Sequence, residues 1–429
     1  MPLIESENPK RGWKQYAAVL GPGIAIAATG VGAGDMVAAA VSGSRYGYAV
    51  VWAAAVGALL KFVLNEGLAR WQLATGTTLL EGWVQKLGKW VQVYFLIYLV
   101  LWSFIVGGAL IAACGLAAHA MAPAWSLPAW GILHSLVAAA IVLWGGYKRF
   151  ERLMKFFIAF MFVTILGCAF WVSPPTVAIS KSILQAAIPA GSPKFILGVI
   201  GGVGGSLTLL AYGYWIKERK WQGTRGLKFV RFDLSVSYVL TGLFGLGVMI
   251  LASQILHTKA VTIDGSNGVL KMAAMLGDVL GDVGHWAFLL GFWGAVTTSM
   301  IGVWQGVPYL FCDFVALMKR LPKQPRAELL SVRSIWYRAY LFWLAVPPLT
   351  LLLMDKPVAL IVFYSVIGAL FMPFLAGTLL YMNSRSDWVG KEFRNSWLTR
   401  VLLVVALILF GYLCLDELRD ALGVISLKL

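Results

Sequence analysis

Long apolar runs separated by short polar stretches make up most of this 429-residue chain. A transmembrane helix needs about 20 mostly apolar residues, whereas a transmembrane strand alternates apolar and polar residues over roughly ten positions. The runs lack that alternation, so they predict membrane-spanning helices. We predict eleven spans, at residues 18–40, 47–66, 91–121, 129–147, 151–173, 195–216, 229–256, 284–318, 334–355, 357–382 and 398–418.

The composition agrees with a membrane protein. Hydrophobic residues make up 60% of the chain and charged residues 13%, where a soluble domain has about 45–50% and about 25%. The charged residues are too few to cover a water-facing surface, so we predict an all-α polytopic membrane protein. We expect an N-terminal tail over 1–17, which is too polar for a signal peptide, a single transport domain over 18–418 and a C-terminal tail over 419–429.

The basic residues predict how the chain is oriented. The formal net charge is +16. The N-terminal tail and the loops on the same side of the membrane hold 25 Lys and Arg residues, whereas the loops on the opposite side hold six. The positive-inside rule then makes the N-terminus cytoplasmic and places the C-terminus outside, in what we expect to be a bacterial inner membrane. We expect membrane lipids as partners of this basic face and no nucleic acid. The sequence leaves the oligomeric state open, with a monomer as one option.

An acidic residue in the middle of a span is the first candidate for function. Asp35 lies mid-way along span 1, in the run Thr29-Gly30-Val31-Gly32-Ala33-Gly34-Asp35. Each glycine weakens a helix by roughly 1 kcal/mol relative to alanine, and a broken helix leaves backbone groups available to a ligand. We therefore place Asp35 in or near a substrate site. The alternative is an aspartate that only caps a half-helix after a kink.

A second glycine run interrupts span 6. It reads Gly201-Gly202-Val203-Gly204-Gly205 and is followed by Ser206 and Thr208. Close helix packing is one interpretation of such small residues. Spans 1 and 6, however, hold equivalent positions in two five-span repeats, over about 18–173 and 195–382. Two interrupted helices at such positions indicate a transporter site built on an inverted repeat, with both spans broken mid-membrane.

Other chemistry-bearing residues predict less. Lys61 lies in the inner half of span 2, where we favour snorkelling of its ammonium to the cytoplasmic face; a buried counter-charge is the alternative. The cysteines are widely separated, and no P-loop, HExxH or GxSxG motif occurs, so we expect no cofactor and no enzymatic activity. The histidines lie at the outer ends of spans, away from the midplane: His119, His134, His257 and His285.

Several short motifs occur in a specific order and spacing. They are Gly21-Pro22-Gly23, Tyr46-Gly47-Tyr48, Ala74-Thr75-Gly76, Tyr147-Lys148-Arg149-Phe150-Glu151-Arg152-Leu153, Ile200-Gly201, Met372-Pro373-Phe374 and Trp397-Leu398. Together they resemble the Nramp family of divalent-metal transporters over about residues 18–418. The resemblance implies a LeuT-like fold, with a 5+5 inverted repeat and an eleventh transmembrane helix.

The motifs that carry function in that family are altered. The family's DPGN falls on Gly32-Ala33-Gly34-Asp35, so the metal-binding aspartate becomes Gly32 and the binding asparagine becomes Asp35. The family's MPH falls on Gly205-Ser206-Leu207, which removes the thioether and the histidine. The acids of the family's proton path align with Ser103 and Val106, and the span 10 glutamine aligns with Ser365. The resemblance therefore implies a divergent branch in which Asp35 replaces the lost carboxylate.

These changes predict the substrate. Thioethers help to select softer transition metals, whereas oxygen ligands and water suit Mg²⁺. We predict a secondary transporter that moves a hard divalent cation such as Mg²⁺ or Mn²⁺ by alternating access, without the family's proton coupling, similar to the Nramp-related magnesium transporters. Asp35 is the predicted metal ligand, within a predicted site of Asp35, Gly32, Thr29, Gly202, Gly205, Ser206 and Ser365.

Two other functions stay open from the sequence. One is transport of a non-metal solute such as a small organic cation, coupled to Na⁺. Its support is the run Thr297-Thr298-Ser299 in span 8, where LeuT-like relatives place Na⁺-binding hydroxyls. The other is a receptor or assembly subunit that transports nothing, which only the missing metal ligands favour.

Overall fold

The fold is known from a computed structural model that describes residues 19–202, 206–263, 265–354 and 357–426. Within these ranges, its description of side chains leaves out positions 33, 323 and 417 and the stretches 265–267, 353–354, 357–369 and 420–426. The described ranges form helices and no β-strand, as the apolar runs predict.

The helices follow one another with short connections. The α-helices are α1 (Pro22–Gly30), α2 (Ala33–Tyr46), α3 (Trp52–Thr75), α4 (Leu79–Lys86), α5 (Lys89–Met121), α6 (Leu127–Trp171), α7 (Thr176–Gln185), α8 (Pro193–Gly202), α9 (Ala211–Glu218), α10 (Gly223–Ile255), α11 (Gly265–Met318), α12 (Lys323–Leu329), α13 (Ile335–Ala345), α14 (Pro357–Met382), α15 (Ser386–Val389) and α16 (Trp397–Ser426). Short 3₁₀ helices lie at Gly47–Val50, Leu207–Leu210, His257–Lys259 and Pro347–Met354.

Local sequence explains several helix ends. α3 stops at Gly76, whose φ of 71° is the left-handed conformation that favours glycine at a helix C-terminus. α4 is then capped by Thr78, the residue before it, whose hydroxyl accepts a 3.2 Å hydrogen bond from the Glu81 N–H. α6 runs through predicted spans 4 and 5 and is kinked between them at Gly146, where φ is 61°.

Length and hydropathy mark most of these helices as membrane-spanning. In the part of the chain that the structure describes, seven segments pass that test when α8 and α9 are taken as one, or eight if α1 and the helix after its break form one bent span. The number is below eleven because α6 covers two predicted spans, while α13 and the described part of α14 are too short to pass. The chain is an integral membrane protein.

The broken pair α1–α2 lies at the centre of the bundle. α1 and α2 both pack against α10 and α11, and α8 packs against α2 and α3. Large aromatic side chains fill this interior; Trp71, Trp102 and Trp215 are each at most 2% exposed. Trp144 and Phe170 on the outside are more than 80% exposed, which suits contact with lipid. The interior therefore surrounds the break between α1 and α2.

Candidate functional site

The first span is broken at its glycine run. α1 ends at Gly30, α2 begins at Ala33, and the two halves of the span meet at an angle of 57°. Gly32 is in the extended conformation at the start of α2, and its N–H donates a 2.9 Å hydrogen bond to Asp35 Oδ2. One oxygen of Asp35 therefore caps the second half-helix, as the alternative interpretation of this residue expected.

The other oxygen of Asp35 faces the second glycine run. α8 is described as far as Gly202, and a Cβ placed on Gly202 would lie 3.0 Å from Asp35 Oδ1. After the break, Ser206 has φ −125° and ψ −102°, which is not helical. The Ser206 hydroxyl accepts a 3.2 Å hydrogen bond from the Trp102 indole. Gly205, also predicted here, lies outside the described residues.

Helix ends add negative potential around Asp35. The C-terminus of α1 lies beside it in the chain, and Gly202, the last described residue of α8, approaches its Oδ1 atom. A helix C-terminus carries about −0.5 of an elementary charge from its unpaired carbonyls. Asp35 also caps the N-terminus of α2, which carries the opposite partial charge, so the break brings together a carboxylate, carbonyl oxygens and a helix N-terminus.

The carbonyl of Thr29 is fixed in place at the end of α1. It accepts a 2.8 Å hydrogen bond from the Ser299 hydroxyl on α11, and the Thr29 hydroxyl donates to the carbonyl of Ala25 at 2.6 Å. Ser299 also lies close to Gly32, where a Cβ would be 3.0 Å from its Oγ atom. Thr29, Gly32 and Ser299 thus meet at the break.

The other two span 8 hydroxyls point elsewhere. Thr298 is fully buried and donates within its own helix to the carbonyls of Gly294 and Ala295. The Thr297 hydroxyl is buried near Cys114 on α5 and has no hydrogen-bond partner among the described residues. Of the three residues predicted to bind Na⁺, the structure brings Ser299 to the site.

Lys61 does not reach the membrane surface, contrary to the expectation from the sequence. Its side chain is 0% exposed, and its Nζ atom lies 5.7 Å from the centre of the Phe410 ring on α16. The charges of Lys61 and Asp35 interact electrostatically. The prediction that Lys61 snorkels to the cytoplasmic face is wrong, because α16 and the packed core around α3 cover the side chain. The buried counter-charge is what the structure contains.

The remaining positions singled out by the sequence carry no charged side chain. Ser103 is fully buried and shares a 2.7 Å hydrogen bond with the Tyr340 hydroxyl, and Val106 is buried in the same helix. Ser365 lies in a stretch whose side chains are outside the described part of the structure. The described positions where the family's proton path would lie are therefore neutral.

The ring nitrogens of the histidines bond to backbone carbonyls. His134, for example, contacts the carbonyl of Trp130 through Nδ1 at 2.7 Å and accepts from the Trp293 indole through Nε2 at 2.8 Å. Among the residues described, no group of three or more His, Cys, Asp and Glu side chains is arranged to hold a metal.

Sequence reasoning missed an acidic residue that anchors the first half-helix. Asp233 on α10 is 0% exposed, and its carboxylate accepts hydrogen bonds from the N–H groups of Gly21 and Gly23 at 3.1 and 2.6 Å. Tyr212, just after the second break, donates to the same carboxylate at 3.1 Å. One side chain thus links the start of α1, α9 and α10.

Two further buried acids lie in ion pairs on the side of the basic loops. Asp313 is fully buried and pairs with Arg326, which also pairs with Glu81 at 2.6 Å. Burial lowers the pKa of the Arg326 guanidinium, but the charges of these two carboxylates raise the pKa more, to above its ordinary value. Glu66 pairs in the same way with Arg70 and Arg231, at 3.0 and 2.9 Å.

Glu66, Asp233 and Asp313 lie near the ends of predicted spans, so their position along the sequence does not mark them as buried. The available signal was a nearby basic residue: Glu66 and Arg70 are four residues apart on one helix face. Asp233 has no such signal, because the N–H groups that it caps, those of Gly21 and Gly23, lie more than 200 residues away in the sequence.

Comparisons with known proteins agree with this architecture. The model of the family described as "Nramp: Natural resistance-associated macrophage protein-like" matches residues 23–417. An uncharacterised protein of Pasteurella multocida is 22% identical over 298 residues, which cover 67% of each chain. The metal transporter Nramp1 of Populus trichocarpa is 26% identical over 186 residues, which cover 39% of this chain and 32% of that protein.

Solved structures share the fold. A manganese transporter of Eremococcus coleocola, in a crystal structure of a point mutant, superposes with a TM-score of 0.75 at 17% identity, covering 96% of this chain and 88% of that one. MhsT in complex with L-phenylalanine superposes with a TM-score of 0.53 at 15% identity, covering 92% of this chain and 98% of that one. These matches confirm the LeuT-like fold that the sequence predicted.

Proposed function

We propose that this chain, which belongs to the Nramp family of membrane transporters, carries a hard divalent cation such as Mg²⁺ or Mn²⁺ across the membrane by alternating access. The family consists of transporters, so the chain is not an enzyme. The two predicted repeats, at about 18–173 and 195–382, would then move relative to each other around a site at the two helix breaks.

One observation carries the proposal: Asp35 lies between the two broken spans. Its Oδ1 atom approaches Gly202 of α8, while its Oδ2 atom caps α2. The carbonyl ends of α1 and α8 supply further oxygen ligands, and Asp35 supplies the charge. We propose Asp35, Gly32, Thr29, Gly202, Gly205, Ser206 and Ser365 as the substrate site, with Asp35 as the metal ligand.

The donor chemistry favours a hard ion. The described residues at the breaks offer a carboxylate, backbone carbonyls and the hydroxyls of Ser206 and Ser299. Oxygen ligands suit Mg²⁺ and Mn²⁺, and Mg²⁺ usually keeps several of its waters in a protein site. A small number of protein ligands, completed by water, is therefore enough for such a substrate.

Two uncharged residues on α5, Ser103 and Val106, are relevant to whether transport is coupled to protons. Ser103 is bonded to Tyr340, and Val106 is apolar, so neither can take up and release a proton at physiological pH. We propose that transport does not use the proton path of the family. We further propose that the basic loops hold the N-terminus on the cytoplasmic side of a bacterial inner membrane, with the C-terminus outside.

Uptake into proteoliposomes tests the proposal. Purified protein reconstituted without other proteins should take up Mn²⁺ or Mg²⁺ down a gradient, as followed with a metal-sensitive dye inside the vesicles. Asp35→Asn removes the charge but keeps the shape, and it should reduce uptake at least about tenfold, because the metal loses its one charged ligand.

The control is Asp278→Asn, which removes an exposed carboxylate from α11 far from the breaks. It should take up metal at the wild-type rate. If Asp35→Asn transports as well as Asp278→Asn, Asp35 is not the ligand. If the unaltered protein transports neither ion above the level of empty liposomes, the substrate class is wrong.

A further inference from the structure

A lysine in the middle of the bundle shares the electrostatic environment of the proposed site. Lys61 on α3 is 0% exposed, and α8, whose last described residue Gly202 lies beside Asp35, packs against the same helix. The side chain extends toward α16, where Nζ lies 5.7 Å from the centre of the Phe410 ring. The ammonium is thus enclosed by the helices that surround the two breaks.

A buried ammonium needs a negative partner, since taking it out of water without one costs several kcal/mol. Two other buried acids are bound to groups of their own: Glu66 pairs with Arg70 and Arg231, and Asp233 caps α1. Asp35 is the acid whose charge interacts with Lys61. The lysine therefore neutralises the carboxylate that the proposed substrate needs.

We propose that the Lys61 ammonium is a tethered cation that competes with the transported cation for the negative potential of Asp35 and thereby sets a low affinity for metal. This inference rests on the proposed function and deepens it. With Lys61 in place, the two side chains sum to zero formal charge, and the ends of α1 and α8 supply the remaining negative potential. A metal ion is then held weakly and released easily.

The competition has a consequence for selectivity. Coulomb repulsion grows in proportion to charge, so a fixed ammonium repels a divalent ion twice as strongly as a monovalent ion at the same position. Removing Lys61 should therefore improve the binding of Mn²⁺ or Mg²⁺ more than the binding of Na⁺. In logarithmic terms, the gain for the divalent ion should be about twice the gain for the monovalent ion.

Calorimetric titration of the purified full-length protein in detergent tests this proposal. Lys61→Met and Lys61→Gln each remove the charge and keep a similar side-chain length. If one variant fails to fold, the other can still be measured. Each should bind Mn²⁺ about tenfold or more tightly than the unaltered protein. Na⁺, measured by its competition with Mn²⁺, should gain less. Lys61→Arg keeps the charge and should show no gain in Mn²⁺ affinity.

Lys271→Met is the matched control, because it removes an exposed positive charge from α11 and should leave Mn²⁺ affinity unchanged. Equal or weaker Mn²⁺ binding by both Lys61→Met and Lys61→Gln would overturn the tethered-cation proposal. So would an equal gain for Na⁺ and Mn²⁺. Different results would contradict the proposed function itself. These are an unaltered protein that binds no metal, or an Asp35→Asn variant that binds metal as well as the unaltered protein does.

Discussion

The N–H of Gly23 donates a 2.6 Å hydrogen bond to Asp233 Oδ2, and this bond joins the first half of the broken span to α10. Gly21 donates to the other oxygen of the same carboxylate at 3.1 Å. The first N–H groups of a helix have no partners inside it, and a carboxylate there satisfies them and interacts favourably with the helix dipole. Asp233 thus holds α1 in place at the end away from the break.

We expect Asp233→Asn to loosen α1. The amide side chain keeps one acceptor but loses the charge, and the loss of such a cap costs about 1 kcal/mol. Hydrogen–deuterium exchange followed by mass spectrometry should then show several-fold faster exchange in peptides that cover Pro22–Gly30. Peptides from α13, which is remote from this carboxylate in sequence, should exchange at an unchanged rate.

Asp278→Asn serves as the reference for this measurement, because it makes the same chemical change at an exposed position. The role of Asp233 in anchoring α1 would be refuted if exchange in α1 were the same in both variants. Faster exchange throughout the protein would instead indicate general destabilisation.

A pair of glycines on α8 allows a matched test of the site geometry. A Cβ on Gly202 would lie 3.0 Å from Asp35 Oδ1, whereas a Cβ on Gly198 would meet nothing within 4 Å. Both substitutions to alanine improve helix propensity by up to about 1 kcal/mol. We expect Gly202→Ala to weaken Mn²⁺ binding several-fold, since the added methyl group pushes Asp35 out of position, and Gly198→Ala to leave it unchanged.

Thermal melting of the two glycine variants separates geometry from stability. Gly198→Ala should melt at the wild-type temperature or slightly above it. If Gly202→Ala binds Mn²⁺ as tightly as Gly198→Ala does, Asp35 has room to move, and its approach to α8 does not matter for the site.

The sequence predicted the broken span because the signal there is local. Three glycines and Asp35 lie within six residues, so helix propensity and charge both change in one short stretch. The same holds for α8, whose last described residues belong to the second glycine run. Long apolar runs likewise predicted the helical membrane fold, since each helix satisfies its own backbone groups without regard to its neighbours.

Lys61 and Asp233 could not be placed in this way. Whether a lysine snorkels or lies buried depends on which helices cover it, and α16 with Phe410 comes some 350 residues later in the chain. Asp233 similarly meets Gly21 and Gly23 only after the bundle has formed. The sequence shows that such residues are charged, but their partners are determined by tertiary packing.

Transport should not depend on Na⁺. Of the three hydroxyls in span 8, Thr298 bonds to its own helix and Thr297 is buried near Cys114, while Ser299 bonds to Thr29. These hydroxyls therefore do not converge on one point, as a dehydrated Na⁺ would require. Replacing Na⁺ with choline on both sides of the proteoliposome membrane should leave the Mn²⁺ uptake rate unchanged. A rate that falls several-fold in choline would favour the Na⁺-coupled alternative.

Stability provides an independent test of the pairing between Asp35 and Lys61. Removing one partner of a buried charge pair leaves the other charge uncompensated, while removing both is often neutral. We expect Asp35→Asn to destabilise the protein by up to about 3 kcal/mol, because Lys61 is fully buried. The double variant Asp35→Asn, Lys61→Met should recover most of this loss, as measured by thermal melting in detergent. If instead the two single changes add in the double variant, the residues are not coupled, and Lys61 must be balanced by another group.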